Sequence, residues 1–224
     1  MTFISRRDLL KRTLGAAAAA GSSGVVTQAV HDRAEVGPEG PGLQSASHRE
    51  PLENLTAAES DILDAVVARL IPSDEHGPGA TEARAAHYID RALGGALASS
   101  RQPYTAGLAA LDRYARSSRG APFIQLSPTD QDSVLIDVET GAATGFTGSS
   151  AAFFTMVLNH THQGTFGDPY YGGNANFVGW DLLGYPGVRT MVSPSDQKQL
   201  EAGQLKANHK SAYDYDAFTK AGQK

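Results

Sequence analysis

The chain of 224 residues contains no cysteine. That excludes a disulfide framework, thiolate-held iron–sulfur clusters, a c-type haem on Cys-x-x-Cys-His and an acylated-cysteine anchor. Also missing are a Gly-x-Gly-x-x-Gly or Walker pattern and a Gly-x-Ser-x-Gly nucleophile elbow, which removes the usual phosphate cradles and the α/β-hydrolase site. Strand signals are scarce: no run of β-branched residues alternates at period two, and no two runs are joined by Asn-Gly or Asp-Gly. No internal repeat is visible. Positive charge is in deficit, with 19 Lys and Arg against 24 Asp and Glu, a net of −5.

What the chain does have starts at its N-terminus. Ser5-Arg6-Arg7-Asp8-Leu9-Leu10-Lys11 precedes a weakly apolar Ala/Gly stretch, and Thr27-Gln28-Ala29 offers small residues for a signal peptidase. We read residues 1–29 as a twin-arginine export signal centred on Arg6 and Arg7, which predicts a periplasmic protein exported already folded. The stretch is poorly suited to span a membrane, which takes about 20 predominantly apolar residues. Without the signal, about 195 residues remain, enough for one domain with its own core. They carry 15 basic and 23 acidic side chains, a net of −8. Such a surface argues against nucleic acid and anionic lipid as partners.

Residues 30–54 are rich in Gly, Pro and Ser and read as a flexible linker or arm. Thr56 and Glu59 then form a capping-box pattern, and Ile62, Leu63, Val66, Val67 and Leu70 make a helical stripe ended by Pro72. A second helix is expected from Thr81 to Leu93, with Ala85, Tyr88, Ile89 and Leu93 inside and Gly94-Gly95 closing it. A third is expected from near Pro103 to Gly120, burying Leu108, Leu111 and Ala115. Ser127-Pro128-Thr129-Asp130 starts a fourth, with Val134, Leu135 and Val138 on its apolar face. After a Gly/Thr/Ser loop, Ala151 to His160 is the most apolar part of the exported chain and reads as the central helix. The fold class is mainly α, a single irregular helical bundle over residues 55–187.

From Gly164 to Gly187 the character changes, with seven glycines and six aromatics in 24 residues. Glycine allows sharp turns and close backbone approach, while Tyr and Trp are rigid contact anchors. The segment is expected to be a structured loop after the last core helix, built to pack against a partner. Its contact residues would be Phe166, Asp168, Tyr170, Tyr171, Asn174, Trp180 and Tyr185. Residues 188–224 are a C-terminal extension, with a further helix expected near Ser195 to Ala207.

The motifs Leu55-Thr56-Ala57-Ala58-Glu59, Leu70-Ile71-Pro72, Gly77-Pro78-Gly79-Ala80, Tyr88-Ile89-Asp90 and Leu126-Ser127-Pro128 lead to Gly167-Asp168-Pro169-Tyr170-Tyr171-Gly172-Gly173-Asn174, Gly179-Trp180 and Gly184-Tyr185-Pro186-Gly187. Together they resemble the gluconate 2-dehydrogenase subunit 3 family, the small subunit of periplasmic flavoprotein dehydrogenase complexes. The resemblance implies a noncatalytic chain that holds no cofactor and supports a glucose-methanol-choline (GMC)-type large subunit carrying FAD. Electrons would leave through a cytochrome c subunit, and any membrane association would come through the complex. The continuation past Gly187 departs from the simplest family pattern.

One cluster offers chemistry to the chain itself. His160 and His162, with Asp168 six residues further on, are the candidate ligands of a metal in a standalone periplasmic metal- or ligand-binding protein or enzyme. Positions i and i+2 do not share a helix face, so this alternative requires the helix to end between the two histidines. His87 and the Asp74-Glu75-His76 turn read as solvated surface.

Overall fold

A computed structural model describes residues 51–75 and 77–219. The export signal, most of the arm, His76 and residues 220–224 lie outside the described residues. Eight α-helices and several short 3-10 turns make up the regular structure, and among the described residues there is no sheet, only one isolated bridge between Asp74 and Gly77. The mainly α expectation holds.

Helix α1, Ala57–Leu70, begins at the capping box: the Thr56 hydroxyl accepts the Glu59 amide at 3.3 Å, and Glu59 Oε2 accepts the Thr56 amide at 2.8 Å. The hydrogen bonds from Thr56 hold the Glu59 carboxyl below the usual carboxylate range, outweighing the opposing effect of its partial burial. Leu63, Val66 and Val67 are buried, while Ile62 and Leu70 pack at the margin of the core.

Helix α2, Ala85–Ala92, starts four residues later than Thr81. Residues 81–84 form turns instead, with Arg84 in the left-handed region at φ 60°. The reason is tertiary: the Ala83 carbonyl accepts the Ala175 amide at 3.2 Å, so it pairs with a distant segment rather than with a helical ladder. Ala85, Ile89 and Leu93 are buried as expected, whereas Tyr88 is only half-buried and Asp90 takes a place inside.

Helix α3, Arg101–Arg119, begins two residues ahead of Pro103 and ends at Gly120, which has φ 81°. Its Tyr104, Leu108, Leu111 and Ala115 are fully buried. Helix α4, Pro128–Glu139, is capped by Ser127, whose hydroxyl accepts the Asp130 amide at 3.2 Å. Arg69 of α1 grips Asp132 of α4 through two hydrogen bonds of 2.7 Å.

Helix α5, Ser150–Phe166, packs against α1, α2, α3 and α4 and is the central element. It runs six residues past His160, straight through Gly164. A β-carbon at Gly164 would lie 2.9 Å from the Ala85 Cα and 3.0 Å from the Tyr88 ring, so glycine here lets α5 and α2 meet at backbone distance rather than breaking the helix. The hydrophobic core formed by these five helices draws its buried residues from Leu55 to Val157.

The remaining elements are short. Turns at Pro169–Tyr171 and Ala175–Phe177 lead into α6, Val178–Leu183; then come α7, Pro194–Glu201, and α8, Asp216–Thr219. The tail helix thus stops well before Ala207, at a turn with Gly203 at φ 65°. The described residues all fall in one compact unit with no break at 187.

Candidate functional site

The Gly/aromatic segment is organised around Asn174, which has no exposed surface. Its amide donates to the Gly164 carbonyl at 2.6 Å, its Nδ2 donates to the Gly167 carbonyl at 2.8 Å, and its Oδ1 accepts the Gly179 amide at 2.8 Å. One side chain therefore ties the end of α5 to the start of α6. Asn174 sits at φ 43°, a conformation its short polar side chain tolerates better than most. The glycines around it are contact points: a β-carbon on Gly179 would come within 1.9 Å of the Thr165 carbonyl oxygen.

Trp180 closes the same unit. It is 5% exposed, donates Nε1–H to the Phe166 carbonyl at 2.9 Å, and packs against Phe177 and Tyr185 with ring centroids 5.4 and 4.8 Å away. Asn174 and Trp180 were expected at a partner contact; both are instead internal, because the loop folds around them. Phe166 is half-buried. Tyr170, Tyr171 and Tyr185 do face outward, at 58, 50 and 40% exposure.

Asp168 is half-buried and accepts Ser211 Oγ–H at 2.6 Å and the Ala212 amide at 2.9 Å. Tyr213 stacks on Tyr170 with centroids 3.7 Å apart, and its hydroxyl bonds that of Tyr171 at 2.6 Å. That hydrogen bond raises the Tyr213 phenol above its ordinary pKa. His209 stacks on Phe177 and bonds Asp181 at 2.7 Å. Residues beyond 187 thus cover part of the loop, a contact that the composition of the tail did not signal. Between them lies an open cavity of about 550 Å³, lined by Tyr170, Phe177, Tyr213 and Phe218 with Ser211 and Asp214.

The proposed metal cluster does not assemble. Because α5 continues to Phe166, His160 and His162 project from different faces of one unbroken helix. His160 is buried, stacked on Tyr104, with its Nδ1 and the Tyr104 hydroxyl 3.1 Å apart. Burial depresses the His160 pKa and favours the neutral ring, which shares one hydrogen bond between Nδ1 and the Tyr104 hydroxyl. His162 is exposed and lies against Phe166, while Asp168 is engaged by the tail. Among the described residues no group of three or more His, Cys, Asp or Glu is placed to hold a metal ion.

A second buried polar site centres on Asp90, which the sequence marks only as part of the Tyr88-Ile89-Asp90 motif, with no signal of its role. Asp90, 1% exposed, accepts the amides of Glu53, Asn54 and Leu55 at 2.7, 3.0 and 2.7 Å. It anchors the point where the chain enters α1, so the last residues of the arm are fastened to α2. The aliphatic surface of the C-terminal layer was missed as well: of the twelve large apolar side chains exposed among the described residues, nine lie between Tyr170 and Phe218, Leu183, Met191 and Val192 being the most open. No helix among the described residues is long and apolar enough to cross a membrane.

The arrangement defines a class: an all-helical domain closed by a glycine-tight aromatic layer. The sequence model of gluconate 2-dehydrogenase subunit 3 matches residues 57–187, more than half of the chain. The chain belongs to the gluconate 2-dehydrogenase subunit 3 family, and so is a subunit of a gluconate 2-dehydrogenase-like complex. Neither the curated proteins nor the solved structures yielded a match.

Proposed function

We propose that this chain is the noncatalytic small subunit of a periplasmic FAD-dependent oxidoreductase that acts on a sugar, polyol or sugar acid. It supports folding of a GMC-type flavoprotein subunit and carries that subunit through the twin-arginine route. The family match over residues 57–187 carries this reading. Two features support it: Arg6-Arg7 fits an export system for folded cargo, and a chain without cysteine or a nucleotide motif suits a cargo whose cofactor sits in the partner. The flavin supplies hydride acceptance in the partner, and a cytochrome c subunit takes the electrons onward. The contribution of this chain is surface: the outward-facing Tyr170, Tyr171 and Tyr185 together with the aliphatic residues that follow them.

The test is a pull-down of the chain, tagged at Lys224, from the periplasm of its native host, with an absorbance spectrum of the eluate. A co-purifying large subunit with oxidised-flavin bands near about 450 nm is the expected result. A lone, colourless chain overturns the reading. Expression of the large subunit without this chain is expected to give flavin-poor or unexported protein.

A further inference from the structure

The C-terminal layer consists of the 167–185 segment and the residues that fold back over it. Five loop side chains carry the contact: Asp168, Tyr170, Tyr171, Phe177 and Asp181, met by Ser211, Tyr213 and His209 of the tail, and the Asn208 amide donates to the Pro186 carbonyl at 3.1 Å. The attachment is polar or made of ring faces close to solvent. The Tyr171–Tyr213 and His209–Asp181 bonds are exposed, and between 188 and 219 Ser211 is the one residue that is buried. No apolar side chain of the tail enters the core, whose buried residues run from Leu55 to Val157. A segment tied on with few buried apolar contacts, here two ring stacks, opens at a small fraction of the global unfolding free energy. The family match also ends at Gly187, before the tail begins.

We propose that residues 208–215 are a detachable clasp. In the free chain they occupy the Asp168–Tyr170–Phe177 face, and the flavoprotein subunit takes that face by displacing them. This rests on the reading of the chain as a subunit of such a complex. The chemistry of the displacing segment follows from what it replaces: hydroxyl or amide donors for the Asp168 carboxylate and an aromatic ring for the face of Tyr170. The clasp keeps one face of the Tyr170 ring and one face of the Phe177 ring occupied until the partner arrives, while the rest of Tyr170 stays open.

Hydrogen exchange on the full exported chain, alone and in the purified complex, tests this. In the free chain, residues 208–215 are expected to exchange about tenfold or more faster than α1 and α3. The double variant Ser211→Ala, Tyr213→Ala is expected to release the tail and leave α1 to α5 unchanged; helices that lose protection in step with the tail overturn the clasp. In the complex, 208–215 are expected to lose protection while 167–185 gain it. Protection gained by both makes the tail a permanent part of the interface, and a change in neither moves the interface elsewhere. Each of those results ends the clasp idea and leaves the subunit reading standing. A concentration-dependent dimer of the free chain would show tails exchanged between copies, and would also end it. Failure to co-purify with any flavoprotein removes the subunit reading itself, while the free-chain measurements still decide whether the tail detaches.

Discussion

Gly173 lies against Gly164 so closely that a β-carbon on Gly173 would sit 2.1 Å from the Gly164 carbonyl oxygen. The obstacle is backbone, held in place by the Asn174 amide, which donates to that same oxygen at 2.6 Å. Gly173→Ala is therefore expected to destabilise the domain by about 3 kcal/mol, the upper part of the overpacking range. Urea unfolding followed by Trp180 fluorescence reads it directly, since Trp180 is the only tryptophan. A change below about 1 kcal/mol would show that the loop yields without loss.

Asp90→Asn tests the anchor at the start of the bundle. The replacement keeps the shape but turns an NH₂ toward backbone amides that now donate to a carboxylate. With the asparagine oxygen on the Asn54 and Leu55 amides, the part-buried Glu53 amide loses its acceptor, at a cost of about 1 kcal/mol, the low end for an unsatisfied group. The expected result is a lower melting temperature with unchanged helix content in circular dichroism. An unaffected melting temperature would mean that residues 53–55 are held by other contacts.

His160 makes stability depend on pH. Its folded-state pKa lies below the ordinary 6.5 because burial disfavours the charged ring. The unfolded chain therefore binds the proton more readily. Stability from this group is fully present above about pH 6.5 and is lost as pH falls from there toward the depressed folded value. Melting temperatures measured between about pH 7.5 and 5.5, one unit on either side of an ordinary histidine, are expected to fall toward acid. His160→Gln is expected to flatten that slope. An equal slope in the variant would assign the effect to other groups.

Replacement of Arg6 and Arg7 by lysine is expected to stop export of this chain and of any flavoprotein travelling with it. Immunoblots of periplasmic and cytoplasmic fractions read both proteins. Normal periplasmic levels of the variant would refute the twin-arginine reading of residues 1–29.

Local signals proved sufficient wherever a helix is delimited by its own residues. The Thr56–Glu59 box, the Ser127 cap and Gly120 at φ 81° mark ends that depend on hydrogen bonds within a few positions. Where distant segments compete for the backbone, local reading misplaced the boundary. Residues 81–84 have helical composition, yet the Ala83 carbonyl pairs with the Ala175 amide. Gly164 has the look of a breaker, yet it lies inside α5, where Ala85 and Tyr88 approach its bare face and Gly173 lies against its carbonyl.

The candidate site divides in the same way. That the 164–187 segment would be aromatic, glycine-tight and partly outward-facing follows from composition, because glycines permit close approach and tyrosines are seldom wholly buried. Which of its residues face outward does not. Asn174 and Trp180 are internal because their polar atoms find backbone partners that only the folded chain brings near. Tyr171 and Tyr185 face outward, carried on the outer side of the same turns.

By itself the sequence determined the helical class, the main caps, the absence of thiol chemistry and the family, all of which rest on residue type and short-range spacing. The tertiary structure decided the rest: that His160, His162 and Asp168 point to three different environments, that Asp90 holds the entrance to α1, and that the tail lies on the loop. Those outcomes depend on contacts such as Asp168 with Ser211, 43 residues apart, and no local preference encodes which distant group will fill a given hydrogen bond.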